Sequence, residues 1–384
     1  MRVLYVQDRP SGGAGESLYQ IISGRKKIED SWIIFGGEGF QRKKFEELPL
    51  PQRPIYQNAH SWCARRWEDK MGLSFFWRVL VSPFHLPFLI KIIRTAKKNK
   101  IQVIHTNCIY LIEGALAAKI LGLPHLWQVR ELMDLDYYQY ILPKSWVVRL
   151  MQRLSTKIIC NSNRTKKALM GNRADEKKLS IIYNIVNAPR ENKDLKAHLK
   201  LPSDTRLVAI LGWISPNKRV EDFIALASKM AGVENLKFLI IGGWGGVQSY
   251  NQKIENMITA SPNRKNIVHT GIIKNADQYL SSLDLLVCPC FTESFGRTVG
   301  EALAAGVPAI GVKDTAVAEI IDHGETGYLV DKGDVDKMAR YVERLLSNER
   351  QRKVFGAMGQ ERMHERFSSK VAIPQFEALY EANF

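Results

Sequence analysis

The chain has 384 residues, 45% hydrophobic and 24% charged, which is enough apolar content for about two α/β cores and far from a disordered or fibrous composition. Its formal net charge of +16 sits in one half: residues 1–200 carry 34 Lys and Arg against 17 Asp and Glu, residues 201–384 carry 21 against 22. Five cysteines, three of them in strand-like apolar runs, argue for reduced core thiols rather than a disulfide scaffold, and CPC at 288–290 is no zinc pattern without a second pair.

The first residues run directly into a strand at 3–6, so no secretory signal is read and a cytoplasmic start is expected. SGGAGES (11–17) follows. Its glycines Gly12, Gly13 and Gly15 allow a loop backbone to approach a ligand, or simply make a tight turn. The spacing is not G-x-G-x-x-G, and no second-strand acid lies about 20 residues on, which counts against a dinucleotide dehydrogenase.

A strand at 32–35 precedes a run of cations interleaved with aromatics at 62–80, including Trp62, Arg65, Arg66, Trp67, Phe75, Phe76, Trp77 and Arg78, and then KIIRTAKKNK at 91–100. Such a run suits an anionic membrane surface, a solvated basic face over core aromatics, or nucleic acid as the lesser rival. The most hydrophobic stretch, 75–93, is broken by Arg78, Pro83, His85 and Pro87, short of the ~20 apolar residues of a membrane span, so any membrane contact is peripheral.

Strands at 103–105 and 157–160 complete a first α/β set. His105 ends a strand and reads as a satisfied core residue. In WQVREL (127–132), Arg130 ends another; with a pKa above 12 it cannot shuttle protons, but it can bind an anion or pair with Glu131 or Asp134. The polar, proline-containing segment 187–204 reads as the domain boundary.

A second alternation follows, with strands at 207–211, 236–241, 266–269 and 283–289. Lys218 lies just past the first of these, where a lysine supplies a point charge to a diphosphate. ESFGRTVGE (293–301) sets Glu293 and Glu301 eight positions apart around a loop-to-helix junction. Between them the backbone N–H groups of Gly296, Arg297 and Thr298 open a helix, a favourable phosphate site. A sugar, its diphosphate and its ribose fit that order; a helix cap and a solvated glutamate are the plainer alternative.

The stretch 206–330 resembles the nucleotide-sugar domain of family-four retaining glycosyltransferases of the GT-B architecture, the group 1 type, through LGWISPNK, FLIIGG, NIVHTG, ESFGRTVGE, EALAAGVPAI and AEIIDHGETGYLV. The N-terminal half is similar through SGGAGES, IQVIHTN (101–107) and IIYNIVN (181–187). The resemblance implies an α/β GT-B fold, two Rossmann-like domains whose parallel sheets face an interdomain cleft. It implies an acceptor-side domain at 1–190, onto which a C-terminal helix at about 370–384 packs back, and a nucleotide-sugar-binding domain at 205–365.

It further implies transfer of a hexose-type sugar from a UDP- or GDP-sugar to a hydroxyl of a lipid-linked or saccharide acceptor, with retention, in cell-surface polysaccharide or glycolipid synthesis. Glu293 would orient the sugar, Glu301 would hold the ribose, and Lys218 and Arg219 would meet the diphosphate. Gly12 and Gly13 would close over the reacting centre. Two departures stand out: Trp213 occupies a position where relatives carry arginine, and Arg130 with Glu131 replaces a histidine–aspartate pair. No D-x-D-like metal triad stands out, so neither metal nor cofactor is expected. The expected location is cytoplasmic, peripheral on the inner face of the plasma membrane. A sugar-nucleotide epimerase of the same architecture and a non-catalytic nucleotide-sugar-binding protein at the membrane are the rival readings.

Overall fold

A computed structural model describes residues 1–59, 63–65, 85–133, 138–140 and 143–382, with side chains outside the description at 63–65, 85 and 138–140. The basic aromatic run at 62–80 and Asp134 therefore lie outside the described residues, apart from the backbone of the Cys63–Arg65 strand. The chain divides into two units: Met1–Ile185 with Ser369–Phe384, and Val186–Ser368.

The first unit holds a seven-stranded parallel sheet in the order Ile55–Tyr56, Ser31–Phe35, Val3–Gln7, Val103–Thr106, His125–Val129, Lys157–Cys160, Leu179–Ile181. Its central strands are buried at every position and mostly apolar, as expected for a sheet with helices on both faces. The short strands Ile55–Tyr56 and Leu179–Ile181 had no sequence signal, being two- and three-residue edges. A separate antiparallel pair joins Cys63–Arg65 to Tyr138–Tyr140.

The helix Ser369–Glu381 belongs to this first unit and lays Ala372, Ile373, Phe376 and Tyr380 into its core. Its seat is partly polar. The Tyr380 hydroxyl lies 3.2 Å from that of Tyr5 and 2.9 Å from His105 Nδ1, and Arg25 donates to Glu377 at 3.0 Å. His105 is thus a core residue, held neutral by burial and then by the nearby Arg130 charge, with its pKa lowered to about 3. His125, between Thr106 Oγ1 (2.8 Å) and Ser155 Oγ (3.1 Å), is lowered by burial to about 3 as well.

Both imidazoles must be neutral in the folded chain, whereas the unfolded chain takes up their protons near pH 6.5. Stability is therefore lost as pH falls below 6.5, by about 2 kcal/mol per histidine at pH 5. We expect urea unfolding of the first unit to shift to lower denaturant between pH 7 and pH 5, and His125→Gln to flatten that shift. An unaltered pH slope in the variant would refute the assignment.

The second unit holds a six-stranded parallel sheet in the order Ile267–Gly271, Leu236–Ile241, Arg206–Leu211, Leu285–Cys288, Ala309–Val312, Gly327–Val330. Its core gathers Phe223, Phe238, Ile240, Val287, Ile310 and Val342. In each sheet the strand order reverses once, between Val3–Gln7 and Val103–Thr106 in the first and between Arg206–Leu211 and Leu285–Cys288 in the second. Ligands of open α/β sheets bind outside the carboxyl ends of the strands at such reversals.

Candidate active site

In the second unit two chain segments leave the sheet at the reversal point. After Arg206–Leu211 the chain passes Gly212 and Trp213 into a single 3-10 turn, Pro216–Lys218, and then the helix Val220–Lys229. The Lys218 stem lies over Gly212, where a Cβ would stand 3.4 Å from its Cε. After Leu285–Cys288 the chain runs through Cys290 and Glu293 to Gly296, which caps the helix Arg297–Ala304. This strand is shorter than 283–289 because its pairing ends at Cys288 opposite Gly311.

Neighbouring strand ends bring Lys218 and Glu293, 75 residues apart in sequence, into a direct ion pair. Both side chains are largely buried. Burial alone disfavours the ammonium, but the Glu293 carboxylate outweighs it, so the Lys218 pKa is raised and the charge is permanent. The flanking thiols are kept uncharged: burial, then Glu293, raises both Cys288 and Cys290, the latter to about 12. They are protonated core groups, not nucleophiles.

Gly296 has φ 91°, a left-handed conformation that favours glycine, and a Cβ there would meet Val317 Cγ2 at 2.7 Å. The first intrahelical bonds come from Val299 and Gly300, both to the Gly296 carbonyl, so the amides of Gly296, Arg297 and Thr298 precede the hydrogen-bond ladder. One turn along, Glu301 accepts from Arg297 Nε at 2.9 Å. Each glutamate of the pair is thus engaged by a cation of the same site: Glu293 by Lys218, Glu301 by Arg297. Glu293 is no helix cap in this arrangement, and Glu301 is half-buried rather than solvated.

Arg219 is occupied differently. It has φ 55° and donates to both Asp222 oxygens at 3.0 and 2.8 Å, with Glu221 at 3.2 Å and the Phe291 ring 4.7 Å away. These contacts tie it to the start of its own helix. Trp213, noted in the sequence only as a lost arginine, is half exposed and lies over Gly243 beside the exposed Ile272. Ile272 carried no signal as a lone apolar residue after a strand, yet the two side chains make an apolar wall at the strand ends, suited to a flat ring.

In the first unit the glycine cluster is not a loop. The helix Gly12–Ser23 begins at Gly12, whose φ of 63° turns the chain and beside which a Cβ would meet nothing within 4 Å. Gly13 sits in the first turn, and Gly15 packs tightly, since its Cβ would lie 3.2 Å from the Pro10 carbonyl carbon. A helix N-terminus keeps the anion-favouring amides that a loop was expected to supply.

Arg130 follows the strand His125–Val129 and is buried. Its guanidinium donates to Asn107 Oδ1 from Nε (3.2 Å) and Nη2 (2.8 Å), and to Asn184 Oδ1 from Nη1. Asn107 in turn donates to Gln7 Oε1 at 2.6 Å and to the Ala14 carbonyl at 3.2 Å, which links Arg130 to the glycine helix. Glu131 Oε2 accepts the Arg130 backbone N–H at 3.0 Å. The sequence reading missed these asparagines as partners, although both stand inside the similar segments IQVIHTN and IIYNIVN.

Among the described residues no group of three or more His, Cys, Asp or Glu side chains is arranged to hold a metal ion, and no helix is long and apolar enough to cross a membrane.

The chain is similar to known proteins along most of its length. The "Glycosyl transferases group 1" family matches residues 191–362, and "Glycosyltransferase Family 4" matches 48–190. The chain is similar to the capsular polysaccharide biosynthesis glycosyltransferase CapM of Staphylococcus aureus, 27% identical over 251 residues, covering 62% of this chain and 65% of that one. It is also similar to N-acetyl-alpha-D-glucosaminyl L-malate synthase of Bacillus anthracis, 26% identical over 208 residues, covering 53% and 54%. The chain therefore spans somewhat less than two thirds of the first of these relatives and about half of the second. Anabaena HepE, crystallised with UDP and glucose, superposes with a TM-score of 0.82 at 18% identity over the whole of both chains.

Two Rossmann-like units with parallel sheets define the α/β GT-B architecture. Within it, the chain belongs to the group 1 glycosyltransferases of the family-four type.

Proposed function

We propose that this protein moves a hexose-type sugar from a UDP- or GDP-sugar to an acceptor hydroxyl, with retention of anomeric configuration, in the synthesis of cell-surface polysaccharide or glycolipid. The observation that carries the reading is the buried Lys218–Glu293 pair at the strand-order reversal, beside the amides that open the Arg297–Ala304 helix. Family membership supports it, as do the similarity to CapM, a capsular polysaccharide biosynthesis glycosyltransferase, and the shared fold of HepE, which was crystallised with UDP and glucose.

The chemistry follows from charge. As the bond from the sugar to the diphosphate breaks, negative charge grows on the departing oxygen. The Lys218 ammonium, the helix-opening amides of 296–298 and the helix dipole stabilise it. Glu293 orients the sugar hydroxyls, and Glu301 takes the ribose O2 and O3. Arg130, fixed by two asparagines, supplies positive charge near the glycine helix rather than a proton, while Gly12 and Gly13 leave that helix start open to a ligand. Arg219 contributes by bracing its helix and lending long-range charge to the phosphates. The acceptor is lipid-linked or a saccharide, and the proposed location is cytoplasmic, peripheral on the inner face of the plasma membrane.

The test is calorimetric titration with UDP, GDP and a panel of their sugars, followed by NMR of the product anomer with a matched acceptor. One nucleotide diphosphate should bind clearly better than the other, and the product should keep the donor's configuration. Activity should persist in excess EDTA, since the phosphate charge is met by Lys218 and backbone amides. Activity abolished by EDTA and restored by Mg²⁺ or Mn²⁺ would overturn the metal-independent part. Tight binding without turnover on any acceptor would favour a non-catalytic binder.

A further inference from the structure

A cavity of about 450 Å³ opens on the second unit beside the loop that follows Leu236–Ile241, a volume within the roughly 300 to 1,000 Å³ of small-molecule sites. One wall is Trp244, and another is Gln248, Asn251, Gln252 and Glu255 on the first turns of the helix Gln248–Ala260. The glycines 245 and 246 form the remaining edge, and a Cβ at Gly246 would meet nothing within 4 Å, so that edge is open.

None of these residues belongs to the Lys218–Glu293 site. A backbone bridge from Ile214 to Trp244 continues the strand pairing past Leu211, and side chains alternate along such extended backbone. The preceding residue, Gly243, faces Trp213 and Ile272, so Trp244 points to the other side, where it packs against the core of Ile214, Tyr250 and Ile254. His269 steadies it there: the two rings meet edge to face with centroids 4.5 Å apart, and His269 Nε2 lies 2.8 Å from the Gly242 carbonyl oxygen.

The lining selects a chemistry. It contains no cation, so a phosphate or an acidic sugar would find no opposite charge. Three carboxamides and a carboxylate instead offer donors and acceptors in planar groups, and one indole offers a flat apolar surface. Asn251 Nδ2 donates to the Gly245 carbonyl at 2.9 Å, while its Oδ1 is buried with no hydrogen-bond partner among the described residues. That acceptor calls for a hydroxyl donor. A ring with one apolar C–H face and a rim of hydroxyls meets all of these demands together.

We infer that this cavity is a saccharide-binding site, separate from the donor site, which takes a ring of a neutral sugar with Trp244 against its C–H face and the carboxamides and Glu255 at its hydroxyls. The inference goes beyond the transfer proposed above and does not depend on it, because no lining residue serves the nucleotide.

The experiment is saturation-transfer NMR of the full chain with glucose, N-acetylglucosamine and maltotriose, and with glucuronic acid as the anionic control, each with and without UDP. At least one neutral saccharide should receive magnetisation, and its signal should persist at saturating UDP. Maltotriose bound more tightly than glucose would trace the ligand to a glycan chain, and equal affinity to a single sugar unit. Gln248→Ala/Gln252→Ala, at two exposed helix positions, should lower saccharide affinity on the order of tenfold at parental circular dichroism and nucleotide affinity. Trp244→Ala should lower it further than Trp244→Phe.

Silence from every neutral saccharide with the parent protein would overturn the inference. So would parental saccharide affinity in the Gln248→Ala/Gln252→Ala variant. Loss of the signal on adding UDP would put the sugar in the donor site, and glucuronic acid bound more tightly than glucose would contradict the neutral chemistry. Calorimetry with UDP and GDP on the same samples reports on the nucleotide reading separately.

Discussion

Lys218→Ala is expected to lower turnover by about 100- to 1000-fold, the range seen when one preorganised group facing developing charge is removed. Two effects act together. The departing diphosphate loses its buried cation, and Glu293 is left as an unpaired, largely buried carboxylate aimed at the same anion. Lys218→Ala/Glu293→Gln should therefore bind nucleotide diphosphate better than Lys218→Ala while remaining equally slow. Arg219→Ala should behave otherwise: its guanidinium is committed to Asp222 and Glu221, so its loss should appear mainly as lower stability. Steady-state kinetics at saturating donor separate the two, and a larger kcat loss in Arg219→Ala would show that Arg219 is the phosphate cation.

The glutamates should part company in the same assays. In Glu293→Gln the Lys218 ammonium loses its competing partner, so nucleotide diphosphate should bind at least as tightly as to the parent, while transfer falls by about 100-fold as the sugar contact is lost from the transition state. In Glu301→Ala the loss should fall on affinity, since charged hydrogen bonds to ribose hydroxyls contribute roughly 1.5 to 3 kcal/mol each. Calorimetry with the nucleotide diphosphate, beside kcat for each variant, decides the matter. Parental turnover in Glu293→Gln, or parental nucleotide affinity in Glu301→Ala, would remove that residue from its assigned role.

Much of the candidate site was legible because its parts are local. The eight-residue spacing of Glu293 and Glu301, with Gly296 between them, lies within one loop-to-helix junction, and short-range backbone rules read such junctions well. The long central strands were legible for a similar reason: a parallel strand buried on both faces is a continuous apolar run. The late strands Ala309–Val312 and Gly327–Val330 were not, since four residues that include glycine leave no pattern to read. The glycine cluster after the first strand was misread as a loop because glycine disfavours helix interiors, yet here it starts one at a residue with positive φ.

By itself the sequence determined the class of the chain, the alternation of strands and helices, the uneven charge and the identity of the acidic pair, all of which depend on residues close together along the chain. Only the tertiary structure decided which charges meet. Lys218 finds Glu293 because the strands preceding them are neighbours at the reversal of sheet order, and no spacing rule encodes that adjacency. Arg130 finds Asn107 in the same way, at the end of the neighbouring strand, and Asn184 from the loop after the edge strand Leu179–Ile181, two places along the sheet. The partner of a buried charge is set by sheet order and burial, since an ion drawn out of water must take whatever counter-group the packed backbone delivers.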